Sequence, residues 1–498
     1  MAIFKTAYAT YPSVQLRGDK FDPKTKKMKF GILKQVLFGD FIKPYLKEGK
    51  YIRHKTEPEY IKVRTRGMDG YIKPEQMQKE KILEVNFIDV GQGDGCHIVT
   101  PDDKQFIIDA GDSDNMYRFL KWRFNLKNAA SAPPPFTAIV SHSDADHYRG
   151  FNKIFSLSEG TRQQFSINKI HHNGLVELSG KSPDSLGTMI TKNGVDYITD
   201  LCDTNQDYNK RAMQEGAGDY IKVMNKSKAP KTSLRAGDKP IYNKGNLIIE
   251  VIGPIAKKIN NKDALPVLES NKGKTKNGHS IILKLTIGKL RILLGGDLNS
   301  ASENYILSEL SKKDVVQLKK ELRQKNLSDT KRKSLEKELV AVVEKARKTL
   351  QVDIAKSCHH GSHDFTSEFL AALHPLATVI SSGDRESHCH PRPDTLGTIG
   401  KYSRGNRSLI FSTELARSTK EFLEKAKKKT AAEKEVKTSR GKERLVTVYG
   451  MINVRTDGEK VIIAQKLEQP AAGRNWDIHK LEWNDELQVF EYRQSDKF

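Results

Sequence analysis

The segment from Phe136 to Gly150, FTAIVSHSDADHYRG, places an apolar run directly before a dense group of polar side chains. The apolar part, Phe136 to Val140, predicts a buried strand. It stops at Ser141, and the six positions that follow hold His142, Asp144, Asp146 and His147. Imidazole and carboxylate side chains are the ligands that zinc and manganese prefer. The segment therefore predicts a strand that delivers metal ligands to a site.

The size and composition of the chain indicate a globular protein of several units. With 498 residues it is expected to form two to four domains. No run approaches the roughly 18 apolar residues that a membrane span needs, and the N-terminal MAIFKTAYAT lacks an apolar signal-like block. Four cysteines without a CxxC pair predict reduced thiols rather than a disulfide framework. These features predict a cytoplasmic protein that does not associate with membranes.

The charge balance favours an anionic partner. The chain has 85 Lys and Arg against 62 Asp and Glu, a formal net charge of +23. A field of this sign attracts polyanions and predicts salt-sensitive binding to nucleic acid. Solvated surface lysines are the alternative interpretation.

The N-terminal part, residues 1–80, is expected to form a small β unit. Tyr60 to Met77, YIKVRTRGMDGYIKPEQM, predicts two short strands around a turn at Gly67 to Gly70. This stretch resembles bacterial SH3-like domains, in which V-R-x-x-G-x-x-G-[WY] precedes a short closing strand. The resemblance implies a small β-barrel that binds a protein partner, and a simple hairpin packed on the main domain is the alternative.

Further ligand-type residues also end predicted strands. Asp109 closes an apolar run, Asp297 follows another, and His359 and His360 follow a third, whereas His279 stands just before a strand. Ligands from several strand ends can hold two metal ions about 3.5–4 Å apart. The glycines of GQGDG, residues 91–95, predict a close approach of the backbone to a crowded site, because glycine has no Cβ.

The remaining segments are interpreted by composition. Residues 302–351 predict an inserted antiparallel helical hairpin, with a break and new N-cap candidates at Asn326 to Asp329. Residues 416–445 are rich in Lys, Glu and Ala and predict a basic helical linker. Residues 446–498 predict a small C-terminal β unit with a hairpin turn at Arg455 to Gly458.

Several motifs in fixed order resemble the metallo-β-lactamase superfamily, closest to the hydrolase domain of competence-type DNA-uptake proteins. They are D-V-G-Q-G-D at Asp89, I-D-A-G at Ile108, S-H-x-D-x-D-H at Ser141, G-G-D at Gly295, H-H-G-S at His359 and H-P at His390. The resemblance implies an α/β fold, an αββα sandwich over residues 81–415, flanked by the SH3-like barrel and the C-terminal β extension. It also implies a dinuclear metal site at one edge.

The same resemblance implies roles for individual residues. His142 and Asp144 would bind the first metal, Asp146 and His147 the second, and Asp297 would bridge the two. His279 would be a further ligand of the first metal, and His359 or His360 would complete the second. Asp94 and Asp109 would orient ligands, and His390 would contact substrate phosphate or a metal. Because an aspartate, Asp144, stands where many members have a second histidine, manganese is expected beside zinc as the bound metal.

These expectations favour a metal-dependent phosphodiesterase or nuclease in which Asp146 orients or deprotonates the attacking water. Nucleic acid or a nucleotide would be the substrate. A small-molecule ester or lactone hydrolase is the alternative within the enzyme class. A binding or effector component of a multi-protein assembly, for example in defence, is the alternative outside it.

Overall fold

The computed structural model describes most of the chain, in several ranges. These are residues 3–22, 25–124, 126, 133–156, 165–180, 183–214, 216, 218–383, 388–413, 451–471 and 474–493. The predicted basic linker, 416–445, lies outside the described residues.

Thirty strands form in the described ranges. In the N-terminal part they are β1 (Ala7–Ala9), β2 (Ser13–Asp22), β3 (Lys27–Leu37), β4 (Phe41–Pro44), β5 (Leu46–Lys47), β6 (Lys50–Tyr51), β7 (Ile61–Thr65), β8 (Met68–Ile72) and β9 (Met77–Gln78). The next group is β10 (Leu83–Phe87), β11 (Gly95–Val99), β12 (Gln105–Ala110), β13 (Phe136–Ile139), β14 (Ile167–His172), β15 (Met189–Lys192), β16 (Val195–Ile198), β17 (Lys231–Ser233), β18 (Tyr242–Lys244), β19 (Leu247–Gly253), β20 (Lys257–Ile259) and β21 (Lys262–Pro266). The last are β22 (Ile282–Ile287), β23 (Leu290–Leu294), β24 (Ile354–Lys356), β25 (Ala377–Ile380), β26 (Leu409–Ser412), β27 (Ile452–Thr456), β28 (Val461–Ala471), β29 (Arg474–Asn484) and β30 (Val489–Arg493).

Eleven α-helices form in the same ranges. They are α1 (Asn115–Arg123), α2 (Ala145–Tyr148), α3 (Phe151–Phe155), α4 (Asn205–Ala212), α5 (Asp219–Met224), α6 (Lys272–Gly278), α7 (Ser300–Ser311), α8 (Val315–Leu322), α9 (Asp329–Leu350), α10 (Ser367–Leu373) and α11 (Pro393–Tyr402). None of the described helices combines the length and the apolar character that a membrane span requires.

Two large sheets pack face to face and enclose the main core. The first has ten strands in the order β17-β14-β13-β12-β11-β10-β27-β28-β29-β30, and the second has seven in the order β18-β19-β22-β23-β24-β25-β26. Val85 and Ile108 of the first sheet share one apolar cluster with Leu285 and Ile292 of the second. Side chains alternate between the two faces of a strand, so the neighbouring positions point outward from the sandwich.

Helices cover both outer faces. Ile107 and Ala138 of the first sheet pack in one cluster with Phe119 of α1 and Phe151 of α3. On the second sheet, Leu293 packs in a cluster with residues of α7 to α10 such as Leu307, Leu318, Ala346 and Phe369. The order of layers is therefore helix, sheet, sheet, helix, and the mixed α/β class that the sequence predicts is confirmed.

The inserted helical segment contains three helices instead of the expected two. Lys312 ends α7 in the left-handed conformation, with φ 61°, and the Asp314 side chain accepts a hydrogen bond from Gln317 N at the start of α8. This stop and the new N-cap divide the first predicted helix. The predicted break further along exists, because the Ser328 side chain caps α9.

The N-terminal strands form an antiparallel sheet of their own. Its order is β3-β2-β8-β7-β4-β1-β9, running from one edge strand to the other, so a closed SH3-like barrel is not shown and that assignment stays a prediction. The predicted hairpin joins β7 and β8, but its turn is Arg66-Gly67, with φ 50° and 74°. Gly70 lies inside β8, where a Cβ atom would come 2.7 Å from the carbonyl of Arg17.

The C-terminal strands continue the first large sheet. β27 pairs antiparallel with β10, and β28 to β30 follow outward from it. The hairpin turn predicted at Arg455 to Gly458 connects β27 to β28. The end of the described chain thus completes the sheet that carries part of the candidate site.

A buried ionic network joins the N-terminal sheet, the first large sheet and its C-terminal strands. Arg455 is fully buried on β27 and donates to Asp40 Oδ1 at 2.7 Å. Its Nη2 lies 3.4 Å from Glu84 Oε2 on β10, and Arg66 donates to both carboxylate oxygens of the same Asp40. Burial opposes the ionisation of Glu84, but Arg123 and Arg455 hold the pKa of this carboxyl at about 2.

Replacement of Arg455 by Met is expected to destabilise the protein strongly. The substitution keeps the volume and leaves Asp40 and Glu84 buried with less compensation, which costs about 3–5 kcal/mol for a broken buried pair. The measurement is the midpoint of urea unfolding. As the control, Arg64→Met removes an exposed pair with Asp69 and leaves the midpoint in place. Equal shifts for both variants would contradict a structural role for the network.

Candidate metal centre

Ligand-type side chains from both sheets meet at one end of the sandwich. The first sheet contributes Asp109 at the end of β12 and the residues after β13; the second contributes Asp297 after β23 and His360 after β24. Among the described residues there are four groups of three side chains in which the ligand atoms of each group lie within 4.8 Å of one another. They are His142/His147/Asp297, Asp146/His147/His360, Asp94/Asp109/His147 and Asp94/Asp297/His360.

Glycine allows this packing at the GQGDG loop. Gly93 has φ +95°, and a Cβ atom there would lie 1.7 Å from the carbonyl oxygen of Asp146. No side chain fits at that distance, so the backbone of the loop can pass the ligand segment only as glycine. The predicted close approach of the backbone is confirmed.

Asp109 fixes the start of the ligand segment. This buried residue has φ 53°, and its carboxylate accepts hydrogen bonds from Ser141 N at 2.7 Å and Ser141 Oγ at 2.6 Å. Its Oδ2 also lies 2.8 Å from His147 Nδ1. Asp109 therefore sets both the position of the segment and the orientation of the His147 ring.

Hydrogen bonding leaves the same nitrogen, Nε2, available on three histidines. Nδ1 of His147 donates to Asp109, and Nδ1 of His360 donates to the carbonyl of Ser381 at 3.0 Å. Nδ1 of His142 lies 3.1 Å from Ser141 Oγ. That hydroxyl already donates to Asp109, so it accepts from the imidazole. A neutral ring protonated at Nδ1 presents the Nε2 lone pair to a metal.

Two carboxylates, those of Asp146 and Asp297, lie near the Nε2 atoms of His147 and His360. Asp297 Oδ2 lies 3.2 Å from His147 Nε2 and 3.2 Å from His360 Nε2. The carboxylate of Asp146 lies 3.8 Å from His147 Nε2 and 3.7 Å from His360 Nε2. Ligands bound tetrahedrally at 2.0–2.1 Å from a metal are about 3.3 Å apart. The distances from both carboxylates to the two imidazole nitrogens are near this value, which makes Asp146, His147, Asp297 and His360 candidate ligands of a divalent ion.

Buried polar atoms of the same set lack hydrogen-bond partners among the described residues. They are Nε2 of His147, Nε2 of His360 and Oδ1 of Asp297, on side chains at most 4% exposed. Unsatisfied buried polar groups are costly and rare, and a bound ion would satisfy the two imidazole nitrogens. Burial opposes the charged form of His360, but Asp297 and then Asp94 raise its pKa to about 10. The buried carboxylates of Asp297 and Asp94 therefore favour a positive charge beside them. When no metal ion is bound, a proton on His360 supplies that charge.

A lysine that sequence reasoning missed also belongs to this cluster. Lys356, the last residue of β24, is 4% exposed; its ammonium contacts Asp94 and lies 3.0 Å from the carbonyl of Gly296. Asp94 Oδ1 in turn lies 3.1 Å from His360 Nδ1. The sequence does contain a signal for this residue. Lys356 is a charged residue at the end of an apolar strand, and His359 and His360 follow that strand closely.

His360, rather than His359, faces the ligand set. Both have left-handed backbone, with φ 54° and 49°, a conformation that costs about 1–2 kcal/mol per residue. The side chain of His359 is 25% exposed, its Nε2 lies 4.0 Å from Asp297 Oδ2, and it enters none of the four groups of ligand atoms. The geometry favours His360 for the position that the sequence left open between the two.

Two residues expected to bind the first metal enter no group of ligand atoms in the described chain. His279 Nε2 lies 2.7 Å from the carbonyl of Pro266 and must donate to it, so this nitrogen has no lone pair to offer. Burial lowers the pKa of His279 to about 4. Asp144 Oδ2 lies 3.5 Å from His142 Nε2, the neighbour expected from the sequence, but Asp144 Oδ1 lies 2.5 Å from the ammonium of Lys276.

His390 lies at the rim of the site. Its ring centre is 5.9 Å from that of His359, 6.3 Å from that of His360 and 5.7 Å from that of His388. This places His390 beside the ligand set and outside it.

Comparisons with known proteins give distant structural likenesses. No family model and no curated protein matches the sequence. One similar structure is a metal-dependent hydrolase from Parabacteroides distasonis, with a TM-score of 0.28, 9% identity, and coverage of 73% of this chain and 96% of that chain. Another is a metal-dependent hydrolase of the β-lactamase superfamily, with a TM-score of 0.30, 11% identity, and coverage of 66% and 95%.

A third similar structure is CmlA, a diiron β-hydroxylase from Streptomyces venezuelae. Its TM-score is 0.28 at 9% identity, and the match covers 66% of this chain and 53% of that one. Similarity this distant says nothing about substrate or reaction. The helix-sheet-sheet-helix layers and the ligand distances given above are observed in this chain itself and do not depend on these likenesses.

Replacement of Asp109 by Asn is expected to weaken metal binding 10–100-fold, because it removes the carboxylate that orients His147 without removing a ligand. Affinity is measured by calorimetric titration of the chelator-treated protein with Zn²⁺ or Mn²⁺. The matched control is Asp112→Asn, which changes an exposed carboxylate paired with Arg149 and leaves affinity unchanged. Unchanged affinity in folded Asp109→Asn protein would contradict the orienting role.

Proposed function

We propose that this chain is a metal-dependent hydrolase that cleaves phosphodiester bonds in nucleic acid or nucleotides. The observation that carries the proposal is that the buried Nε2 atoms of His147 and His360 have no hydrogen-bond partner among the described residues and lie 3.2–3.8 Å from the carboxylates of Asp146 and Asp297. Such an ion lowers the pKa of water and stabilises negative charge on a phosphoryl oxygen. Zinc and manganese both suit imidazole and carboxylate ligands.

Asp146 is the residue proposed to handle the proton of the attacking water. Its side chain is 19% exposed, more than that of His147, Asp297 or His360, so it is the member of the set that meets solvent. Its Oδ2 lies 3.5 Å from the amide nitrogen of Gln92, which holds one oxygen in place. The other carboxylate oxygen can accept a proton from water or orient it toward substrate.

Histidines at the rim are proposed to contact the substrate. His359, His388 and His390 have neighbouring rings 5.7–5.9 Å apart beside the ligand set. Imidazole nitrogens can donate hydrogen bonds to phosphate oxygens, and His390 keeps the substrate-contacting role expected from the sequence. These rings would orient the phosphate rather than hold the ion.

A groove lined by Tyr148, the residue after His147 in the chain, supports a polyanionic substrate. Its cavity of about 490 Å³ is lined by four basic residues, Arg149, Lys153, Lys222 and Lys226, and by three aspartates, Asp112, Asp114 and Asp219. Arg149 is paired with Asp112 and Lys222 with Asp219. Lys153 and Lys226 have no acidic partner among the described residues and are the cations best placed to meet phosphate. The net charge of +23 acts in the same direction over a longer range.

The test is incubation of metal-loaded protein with DNA, RNA and cyclic nucleotides, and with ester and lactone substrates for comparison, in the presence of Mn²⁺ or Zn²⁺. Cleavage is expected, and Asp146→Ala is expected to lower its rate by about 10²–10⁴-fold, the usual contribution of a positioned acid or base. Asp69→Ala, which removes an exposed carboxylate paired with Arg64 in the N-terminal sheet, serves as the control and retains activity. Metal-loaded protein that cleaves only esters or lactones would overturn the phosphodiesterase proposal. Protein that cleaves none of these would overturn the hydrolase proposal.

The groove is tested by reversing its two unpaired charges. The double variant Lys153→Glu/Lys226→Glu is expected to raise KM for an oligonucleotide about tenfold at low salt. Each lost phosphate contact removes a salt-dependent contribution to the free energy of binding. Hydrolysis of a small phosphodiester such as bis(p-nitrophenyl) phosphate should not change, since that substrate does not reach the groove. An equal effect on both substrates would place the damage in the site and not in polymer binding.

A further inference from the structure

Asp144 is already neutralised by the protein's own donors. Its Oδ1 lies 2.5 Å from the ammonium of Lys276. With its nitrogen turned toward Asp144, the side-chain amide of Asn277 donates to Oδ2 at 2.6 Å. Both donors belong to α6, so one helix supplies hydrogen bonds to both carboxylate oxygens.

The ammonium of Lys276 is held firmly at this position. The Lys276 side chain is 7% exposed, and its Nζ also lies 2.5 Å from Glu177 Oε2. Lys272, one helical turn earlier on α6, pairs with the other oxygen of Glu177 at 2.7 Å. The Asn271 side chain caps the start of α6 by accepting a hydrogen bond from Lys274 N. A buried cation between two carboxylates is costly to displace because either carboxylate would then remain uncompensated.

The remaining residues cannot assemble a second complete ligand set. In the described chain, His142 belongs to one group, with His147 and Asp297. Nδ1 of His147 donates to Asp109, so His147 has only its Nε2 lone pair, and Nε2 lies 3.2 Å from Asp297 Oδ2 and 3.8 Å from the carboxylate of Asp146. A lone pair binds one ion. Once His147 is assigned, His142 is left with a share of Asp297 and with Asp144, which Lys276 occupies.

We infer that the ammonium of Lys276 takes the place of a second metal ion, and that the chain binds one divalent ion at Asp146, His147, Asp297 and His360. The sequence predicts two metal ions, and this inference replaces one of them with the fixed ammonium of Lys276. This inference rests on the proposed metal-dependent function. It assigns Lys276 as a positively charged partner of Asp144 that is present whether or not metal is supplied.

The experiment counts bound ions on the full chain by native mass spectrometry and elemental analysis after loading with Zn²⁺ or Mn²⁺ and removal of excess metal. One ion per chain is expected for the unaltered protein. Lys276→Met removes the ammonium, frees Asp144, and is expected to raise the count to two. Lys272→Met removes the other lysine that contacts Glu177 and is expected to leave the count at one.

A second variant keeps the test independent of how Lys276→Met folds. Asp144→Asn is expected to bind one ion with unchanged affinity, because Asp144 is not a ligand of the retained ion. Two ions on the unaltered protein, a lost or weakened ion in Asp144→Asn, or a count that stays at one in folded Lys276→Met would each overturn the inference. No bound ion at all would overturn the proposed metal-dependent function as well, whereas two ions would leave that function standing.

Discussion

The carboxylate of Asp297 lies between two imidazole rings that come from opposite sheets. His147 follows a strand of the first sheet, His360 follows a strand of the second, and both Nε2 atoms lie 3.2 Å from Asp297 Oδ2. Because all three side chains are buried, an anion at this position requires a cation between the sheets. The site is therefore a link between the two halves of the sandwich as well as a place for chemistry. On the far side of each ring, Asp109 contacts Nδ1 of His147 and Asp94 contacts Nδ1 of His360.

The part of this arrangement that could be predicted from sequence is the part encoded locally. The apolar run before Ser141 predicts a strand, and β13 ends at Ile139, just before the segment 141–147. Asp109 and Asp297 stand at or after strand ends, and the glycines at 91–95 predict the tight approach that Gly93 makes. The layered fold followed from motif order, through a family resemblance. These features need only the identity of neighbouring residues and the alternation of strands.

What could not be predicted depends on contacts between distant segments. His279 looks like a ligand in sequence, but the carbonyl of Pro266 takes its Nε2. Asp144 belongs to the ligand motif, yet α6, which is remote in sequence, supplies the lysine that pairs with it. The two histidines at 359 and 360 differ only in ring direction, which the left-handed backbone and Ser381 decide. The place of β27 beside β10 was equally hidden, since β pairing over such a separation leaves no local pattern.

That pairing has a consequence for the order in which the protein can be made. β10 has β11 on one side and β27 on the other, and β27 is synthesised several hundred residues after β10. Until then one edge of β10 displays unpaired backbone groups, and the fully buried apolar residues Leu83 and Val85 lack part of their cover. Contacts of such long sequence separation form slowly, and an open edge invites pairing with another chain. The nascent chain therefore exposes this sheet edge from the synthesis of β10 until the synthesis of β27, which pairs with it.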